Sequence, residues 1–481
     1  MISHVILRNV TRLLILFILA SIQGLPASEP KSKPNIVFIL ADDLGWADLG
    51  CYGSTFYETP NLDTVAKEGM RFTAAYAASS VCSPTRASII TGKYPARLNL
   101  TDWLPGRGNK PDQKLKGPDI SQSLPLQEFS FAKALKADGY RTAFMGKWHL
   151  GDSPEWWPEH NGFDVNIAGC GAGQPPSYFS PYGFPNLPDG PAGEYLNDRL
   201  TEEALKFIES SKKTSFLLFL SHYAVHLPLQ AKSESVERFQ GKAAGLSSDA
   251  KEFISDNGRQ VRQVQNNATY AAMVESLDQS VGLIMKKLTE LGLDTNTIVI
   301  FTSDNGGTST SKDSPTSNLP LRGGKGWPYE GGIREPLIIK WPGVTRPDSV
   351  CSAPVISTDF YPTFLEMAGL PPLPLQHLDG VSIVPALRGK PLSERSFFWH
   401  YPHYSNQGGS PHGVIRSGNY KLIEWYEDMR TELYNLADDL GEQHDLAATM
   451  PDKTSLLRTE LHNWRKEVKA QMPTKKPDYV P

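Results

Sequence analysis

Residues 35–43 read NIVFILADD, an unbroken apolar run that ends in two aspartates. Such a run suits a strand in the middle of a parallel sheet, because helices cover both faces of that kind of sheet. Three further apolar runs, separated by helical patterns, also end in polar residues; they span 140–145, 216–220 and 298–301. This alternation predicts an α/β fold with a large, mostly parallel central sheet flanked by helices.

The pattern also divides the chain. Between the strands, apolar residues recur at helical spacing over 129–138, 199–209 and 268–292. Near residue 390 the pattern changes to four short strands joined by turns, followed by a helix at about 451–470. We therefore predict a catalytic domain at 33–388, an antiparallel-sheet subdomain with a helix at 389–472, and an irregular tail at 473–481.

The N-terminus has the pattern of a secretory signal peptide, which we place at residues 1–27. It carries two arginines and no acid, then the apolar run LLILFILASI at 13–22 and small or turn-forming residues up to Ser28. The apolar run is short for a transmembrane helix, and an uncleaved anchor is the alternative. We expect an exported protein, periplasmic or extracellular, without stable membrane insertion after cleavage.

The composition argues against a nucleic-acid-binding protein and against a disulfide scaffold. The chain has 48 basic and 52 acidic residues, a formal net charge of −4. A mildly acidic protein has no general attraction for nucleic acid or anionic membranes, so a bound anion needs a local cationic site. The cysteines are few for an exported protein, and we expect no structural disulfide among Cys51, Cys82, Cys170 and Cys351.

Each predicted strand ends in side chains that bind ions or transfer protons. In open α/β sheets ligands bind outside the carboxyl ends of the strands, so these side chains should surround one crevice. One such residue alone is more often a turn or cap residue, and the joint occurrence carries the inference. Their carboxylate and amide oxygens suit Ca²⁺ or Mg²⁺ better than zinc. The residues are Asp42, Asp43, Lys147, His149, His222, His226, Asp304 and Asn305.

A second motif, CSPTR at residues 82–86, places a cysteine at the start of a predicted helix. Pro84 suits the first helical turn and Gly92 the end of the helix. The free N–H groups of a helix N-terminus favour an anion, and Arg86 lies one turn further on. A guanidinium makes paired hydrogen bonds to a tetrahedral oxyanion. Taken alone, the motif also fits a buried cysteine beside a helix cap with a surface arginine.

Together these motifs resemble the type I sulfatase family of the alkaline phosphatase superfamily. The residues CSPTRAS at 82–88 with Thr91-Gly92 match its signature for conversion of cysteine to formylglycine. The residues GKWHLG at 146–151 match its second motif. Resemblance continues, in the family's order, at Asp42-Asp43, HYAVHLP at 222–228, DNGG at 304–307, RGGKG at 322–326 and EGG at 330–332.

The resemblance implies a set of roles. Asp42, Asp43, Asp304, Asn305 and modified Cys82 would bind one Ca²⁺. A formylglycine-generating maturation enzyme would convert Cys82, whose hydrated aldehyde attacks sulfur and then releases sulfate. Arg86, Lys147, His149, His226 and Lys325 would line the sulfate pocket, with His149 as base and His226 as acid. Some family members also use a serine after the second motif, and the stretch at 167–171 offers no equivalent.

Residues outside the sulfate pocket bear on the substrate. We expect a sulfated saccharide of galactose or N-acetylgalactosamine type, desulfated in an exo manner, because the export pattern and long loops resemble bacterial carbohydrate sulfatases. Aromatic rings stack on sugars and charged groups pair with hydroxyls or sulfates. Trp103 fits a core or interface position equally well. Candidate sugar contacts are Asp102, Trp103, Arg107, His400 and His403.

Two other readings of the sequence stay open. A phosphodiesterase or phosphonate monoester hydrolase of the same superfamily would use similar residues. A non-catalytic glycan-binding relative would also keep the fold, but we expect it to have lost at least one of Cys82, Arg86, Lys147 and the metal ligands. All of these are present.

Overall fold

Asn35–Ala41 is the central strand of a nine-stranded sheet. The structure, a computed structural model, describes residues 33–246, 251–477 and 479, and the predicted signal peptide at 1–27 lies outside them. Alternate side chains of this strand enter two different cores, Val37 and Ile39 on one face and Ile36 and Phe38 on the other. Both faces are buried, which explains why the strand is apolar throughout rather than alternating.

The sheet is mostly parallel, which confirms the predicted α/β class. Among the described strands of this sheet, only Arg334–Lys340 runs antiparallel to its two neighbours. Val355–Ile356 extends the pairing of Met70–Tyr76. The strands lie in the order Ser349–Cys351, Met70–Tyr76, Arg334–Lys340, Thr297–Ser303, Asn35–Ala41, Phe216–Ser221, Arg141–Gly146 and Val165–Ile167.

Helices cover both faces of the sheet. The face that holds Val37 packs against Pro60–Glu68, Leu196–Ser211, Ser233–Ala244 and Ala268–Glu290. The face that holds Phe38 packs against Cys82–Thr91, Phe131–Ala137, Phe360–Met367 and Val384–Leu387. Short helices and 3-10 turns complete the connections: Gly50–Tyr52, Pro95–Leu98, Pro154–Trp156, Pro158–Asn161, Asp294–Asn296, Glu330–Ile333 and Ser357–Asp359.

The C-terminal region contains the predicted antiparallel sheet. Its strands are Ser396–Tyr401, His412–Ser417, Tyr420–Trp425 and Thr431–Asn435, and the helix Pro451–Glu467 follows. A third core joins this sheet to the main one, and the Trp399 indole donates to the Ala77 carbonyl at 2.7 Å. Trp399 is therefore an interface residue. The domain boundary at 388/389 stays a prediction.

Two short strand pairs lie outside these sheets. Leu115–Lys116 pairs with Thr474–Lys475, and Phe253–Asp256 pairs with Arg259–Arg262. No helix in the described part of the chain is both long and apolar enough to cross a bilayer. All four cysteines lie within the described residues, and none of them forms a disulfide.

A buried ionic cluster links the main sheet to the C-terminal sheet. The ammonium of Lys421 lies 3.0 Å from Glu330 and 2.8 Å from Glu442, and all three side chains are inaccessible to solvent. Burial raises the pKa of Glu442 to about 7, since it opposes the ionised form. Breaking such a cluster from one side leaves charge buried without a partner.

We expect Lys421→Met to lower the free energy of unfolding by about 3–5 kcal/mol, because Glu330 and Glu442 lose their shared cation. Urea denaturation followed by circular dichroism measures this. The exposed Lys286→Met is the matched control, with an expected change within about 0.5 kcal/mol. A Lys421→Met protein as stable as the control would mean that the cluster contributes no net stability.

Candidate active site

The carboxyl ends of four neighbouring strands bring the predicted polar residues together, with one exception. The buried ring of His222 contacts the Ser280 hydroxyl at 3.0 Å and does not line the cavity at Cys82. Asp42 and Asp43 follow the central strand, and the backbone N–H of Asp43 donates to Asp304 Oδ1 at 3.2 Å. The Asn305 side-chain amide donates to Asp43 Oδ1 at 2.8 Å. The acids at 42–43 and 304–305, far apart in sequence, are thus in direct contact.

Cys82 is the first residue of a fully buried helix, Cys82–Thr91. Gly92 ends the helix in the left-handed region, with φ of 68°, and its N–H donates to the Ser88 carbonyl at 2.8 Å. The Cys82 thiol lies 3.8 Å from Asp42 Oδ1. Burial raises the pKa of Cys82 to about 12, so the unmodified side chain is a neutral thiol and a poor nucleophile.

Arg86, one turn into this helix, connects three strand ends. Its guanidinium contacts Asp304 at 2.7 and 2.9 Å. Nη1 donates to the Lys147 carbonyl and to Ser221 Oγ, both at 2.7 Å. The side chain is only 3% exposed. Arg86 therefore fixes the helix Cys82–Thr91 against the sheet as well as supplying a positive charge.

Three buried carboxylates are matched by three cations. Lys147 Nζ lies 2.7 and 2.9 Å from the two oxygens of Asp42. Lys325 Nζ lies 2.7 and 2.8 Å from those of Asp43. Although burial opposes ionisation, the nearby Lys325 lowers the pKa of Asp43 below its usual range. Arg86 likewise offsets burial and lowers the pKa of Asp304.

These residues fit a hard divalent cation. Asn305 Oδ1 is buried and has no hydrogen-bond partner among the described residues, so one oxygen ligand is free for an ion. Ligand atoms of Asp42, Asp43, Cys82 and His226 all lie within 4.8 Å of one another. The carboxylate and amide oxygens of Asp42, Asp43, Asp304 and Asn305 suit Ca²⁺ or Mg²⁺. His226 was not among the predicted ligands.

The two predicted proton-transfer histidines differ in tautomer. His149 Nε2 lies 2.7 Å from the Leu104 carbonyl and so carries its proton, while Nδ1 is buried without a partner. His226 Nδ1 lies 2.9 Å from the Leu227 carbonyl, and its Nε2 is 3.6 Å from Asp43. Burial lowers the pKa of His149 well below its usual value, and it lowers the pKa of His226 to about 3. Both rings are neutral, and each keeps one free acceptor nitrogen.

An open cavity of about 440 Å³ leads to Cys82. Arg86 and Lys147 are not on its wall but lie beneath it, against the carboxylates. The long loops at 101–128 and 151–195 supply much of the wall. The lining residues are Asp43, Cys82, Trp103, Leu104, Pro105, His149, Gly171, Gly173, Gln174, His226, Leu227, Thr308, Lys325, Asn406 and Gln407.

Several of the lining side chains were not predicted from sequence, among them Gln174, Thr308, Asn406 and Gln407. The run of glycines at 169–173 was an available signal. A Cβ at Gly173 would lie 2.7 Å from the His149 ring, so the loop approaches that ring only as glycine. Gln174 is the polar side chain that this loop brings to the cavity.

The predicted sugar contacts separate into three groups. Trp103 lines the active-site cavity. Asp102, Arg107 and His403 line a neighbouring cavity instead. His400 lines neither, because its ring nitrogens are held by the Tyr426 hydroxyl at 2.7 Å and the Gln471 carbonyl at 2.9 Å. The structure therefore gives His400 a place in the packing and not in the cavity.

We expect Arg86→Lys to lower kcat/KM for sulfate-ester hydrolysis by roughly 10²- to 10³-fold, because an ammonium cannot reproduce contacts to Asp304, Lys147 and Ser221 at once. Initial rates on p-nitrophenyl sulfate measure this. Ser221→Ala, which removes one of these contacts, is the control and should cost far less. A loss below tenfold in Arg86→Lys would show that Arg86 contributes only its positive charge.

The sheet topology, with buried acidic side chains at the carboxyl ends of its strands, is that of an alkaline-phosphatase-like fold. The sulfatase family model matches residues 34–370, and the model of the N-sulphoglucosamine sulphohydrolase C-terminal region matches 324–471. The chain therefore belongs to the sulfatase family, and it is a sulfuric ester hydrolase.

Similar proteins agree with this assignment. A sulfatase of Formosa agariphila is 33% identical, over 92% of this chain and 89% of the relative. Human arylsulfatase A is 33% identical, over 84% of this chain and 76% of the relative. The crystal structure of Ps i-CgsB in complex with k-i-k-neocarrahexaose superposes with a TM-score of 0.74 at 30% identity, covering 90% of this chain and 93% of that one.

Proposed function

We propose that the protein is an exported carbohydrate sulfatase that uses formylglycine at position 82 and one Ca²⁺. The observation that carries this proposal is the position of Cys82: its side chain starts a buried helix, lies 3.8 Å from Asp42 and reaches an open cavity. A neutral, buried thiol is a weak nucleophile, whereas a hydrated aldehyde supplies a hydroxyl for attack on sulfur and a second one for release of sulfate.

Asp42, Asp43, Asp304 and Asn305 would hold the calcium ion, together with the oxygen at position 82. The ion would supply charge stabilisation and a more acidic nucleophile. Arg86 and Lys147 lie behind the carboxylates and offset their negative charge, so that the charge of the ion would remain to attract a sulfate group. Backbone N–H groups at the start of the Cys82 helix favour the same anion.

The histidines on the wall support a role in proton transfer. His149 has its Nδ1 lone pair free, so it can accept the proton whose removal releases sulfate. His226 and the ammonium of Lys325 lie on the same cavity, near Asp43, and can serve the oxygen of the leaving alcohol. Neutral His226 directs its Nδ1 proton to the Leu227 carbonyl. The Lys325 ammonium is therefore the member of the pair that can donate a proton to the leaving oxygen.

A saccharide substrate is supported by the uncharged part of the wall. Trp103 offers an aromatic face, and Gln174, Asn406 and Gln407 offer amides that can bind hydroxyl groups. Ps i-CgsB, whose structure superposes on this chain, was crystallised with a sugar, and N-acetylgalactosamine-6-sulfatases are among the relatives at 32–34% identity. We propose an exo-acting enzyme on galactose-type or N-acetylgalactosamine-type sulfates.

The test is paired kinetics on p-nitrophenyl sulfate, p-nitrophenyl phosphate and a p-nitrophenyl phosphodiester, followed by sulfate release from defined sulfated sugars. We expect kcat/KM to be highest for sulfates by at least about tenfold. A preference for phosphodiesters would favour the phosphonate monoester hydrolase alternative, whose structural relative at 19% identity supports the fold alone. Sugar binding without turnover by the mature protein would favour the non-catalytic alternative.

A further inference from the structure

The turn that carries His226 is held from two sides. On one side it pairs with the end of the central strand: the N–H of Val225 donates to the Asp42 carbonyl at 2.7 Å, and the N–H of Asp42 donates to the Ala224 carbonyl at 2.9 Å. On the other side it meets Tyr178, whose side chain is fully buried. The turn lies outside any helix or strand, so contacts of this kind are what fix its backbone.

The Tyr178 hydroxyl contacts two carbonyls of this turn. Its oxygen lies 2.6 Å from the carbonyl oxygen of Tyr223 and 2.8 Å from that of His226, so one proton is shared between two acceptors. The Tyr223 carbonyl also accepts from the His226 N–H at 3.0 Å. The His226 carbonyl, in contrast, accepts no other hydrogen bond from the described residues. Its position therefore depends on Tyr178.

The backbone of Tyr178 is anchored independently of its hydroxyl. Its N–H donates to Gln230 Oε1 at 2.8 Å, and its carbonyl accepts from the Leu196 N–H at 2.8 Å. Burial raises the pKa of Tyr178 well above the usual value of a tyrosine, so the side chain is a neutral phenol that can donate. The ring is thus held by the chain, and the hydroxyl is the part that acts on the turn.

Few other contacts among the described residues set the direction of the His226 ring. Nδ1 lies 2.9 Å from the carbonyl oxygen of the next residue, Leu227, and Nε2 lies 3.6 Å from Asp43, which is too long for a hydrogen bond. The Leu227 side chain is 45% exposed and gives the turn no packed support. The ring therefore follows its own backbone, and a shift of that backbone changes where Nε2 lies on the cavity wall.

We propose that Tyr178 is a positioning residue: its hydroxyl fixes the backbone at His226 and so holds the His226 ring beside the Lys325 ammonium at the leaving oxygen. This inference rests on the proposed function, which gives that pair its role. Lys325 carries the proton, and the free Nε2 of His226 can orient it. A misplaced ring would slow most the esters whose leaving alcohol is least acidic, because an acidic phenol departs without a proton.

The experiment compares kcat/KM for p-nitrophenyl, phenyl and p-methoxyphenyl sulfate, whose leaving phenols are progressively less acidic. The test variant is Tyr178→Phe, which removes the hydroxyl and keeps the ring. The control is Tyr195→Phe, because Tyr195 is also a buried tyrosine, 2% exposed, and its hydroxyl donates at 2.8 Å to the carbonyl of Gln230, beyond the turn. Thermal melting checks that each variant is folded. If Tyr178→Phe is unstable, 4-fluorophenylalanine at position 178, which fills the space of the hydroxyl without donating, replaces it.

In Tyr178→Phe we expect kcat/KM to stay within about threefold for p-nitrophenyl sulfate and to fall roughly tenfold or more for p-methoxyphenyl sulfate, because the change weakens general-acid catalysis without removing it. The dependence of log kcat/KM on the pKa of the leaving phenol should therefore become steeper, whereas Tyr195→Phe should keep the wild-type slope. His226→Ala should be at least as steep, and Tyr178→Phe added to it should steepen the slope no further. 4-Aminophenylalanine at position 178, which has an N–H for each carbonyl, should restore the wild-type slope.

Three results would overturn the inference. The same change on all three esters in Tyr178→Phe, or no change, would mean that the hydroxyl does not act on the leaving group. A steeper slope in Tyr195→Phe as well would assign the effect to packing of the segment. Further steepening by Tyr178→Phe in the His226→Ala protein would show that Tyr178 acts independently of His226. The wild type is active in each of these cases, whereas failure of the proposed function would appear as no sulfate release from any ester by the mature wild type.

Discussion

Cys82→Ala should lower sulfate-ester turnover by roughly 10⁵-fold or more and leave the fold intact. The change removes only the sulfur atom, whose described contact is the one with Asp42 at 3.8 Å. The helix end at Gly92 and the contact of Arg86 with Asp304 do not involve that atom. Rates on p-nitrophenyl sulfate and thermal melting, measured on the same preparation, separate the loss of chemistry from a loss of folding.

Cys170→Ala is the matched control, because Cys170 is also a buried free cysteine, 4% exposed, and packs in the core beside the sheet. It should keep its activity. Mass spectrometry of the wild-type peptide that contains Cys82 should find the aldehyde or its hydrate. Protein from a host without the maturation enzyme should be as inactive as Cys82→Ala. Normal turnover in Cys82→Ala would contradict the mechanism.

The polar residues at the carboxyl ends of the strands could be predicted from sequence, because the pattern that indicates them is local. A run such as NIVFIL is apolar on both faces only in a covered parallel strand, and the residues that follow it must lie at the carboxyl edge. The observed strand, Asn35–Ala41, is one residue longer than that run. The contacts between 42–43 and 304–305 follow from the pairing of Asn35–Ala41 with Thr297–Ser303.

Five of the nine strands of the sheet and most of the cavity wall could not be predicted in this way, and Met70–Tyr76 and Arg334–Lys340 are the longest of the five. Met70–Tyr76 reads MRFTAAY and Arg334–Lys340 reads REPLIIK, and neither is a continuous apolar run, so their burial depends on neighbours distant in sequence. Asn406 and Gln407 reach the cavity through long-range packing, since the Gln407 carbonyl accepts from the Trp327 indole at 3.0 Å. Neither residue has a local pattern that indicates a binding site.

His400 was predicted to contact a sugar but lies within the packing of the C-terminal region. An aromatic, histidine-rich segment is typical of sugar-binding sites, but the same residue types also stabilise a small antiparallel sheet. Both of its ring nitrogens are partnered within the C-terminal region. By contrast Trp103, which fitted a core or interface position equally well from sequence, lies on the cavity wall.

Removal of divalent cations by a chelator should lower turnover by about a thousandfold, and Ca²⁺ should restore it, because a bound metal contributes several kcal/mol of charge stabilisation in the transition state. The protein should nevertheless stay folded. The carboxylates of Asp42, Asp43 and Asp304 contact Lys147, Lys325 and Arg86 respectively, so no net negative charge is left buried. We therefore expect a lower melting temperature in the chelated protein but a cooperative transition.

The position of the ion can be tested with a pair of buried aspartates. Asp42→Asn removes a charged oxygen from the predicted ligand set and should raise the Ca²⁺ concentration for half-maximal activity by at least about tenfold. Asp48→Asn is the matched control, since Asp48 is equally buried but accepts hydrogen bonds from Tyr270 at 2.6 Å and Thr316 at 2.8 Å. Its calcium requirement should match the wild type, whatever it loses in stability. An equal shift in both variants would show that the ion acts through overall stability rather than through Asp42.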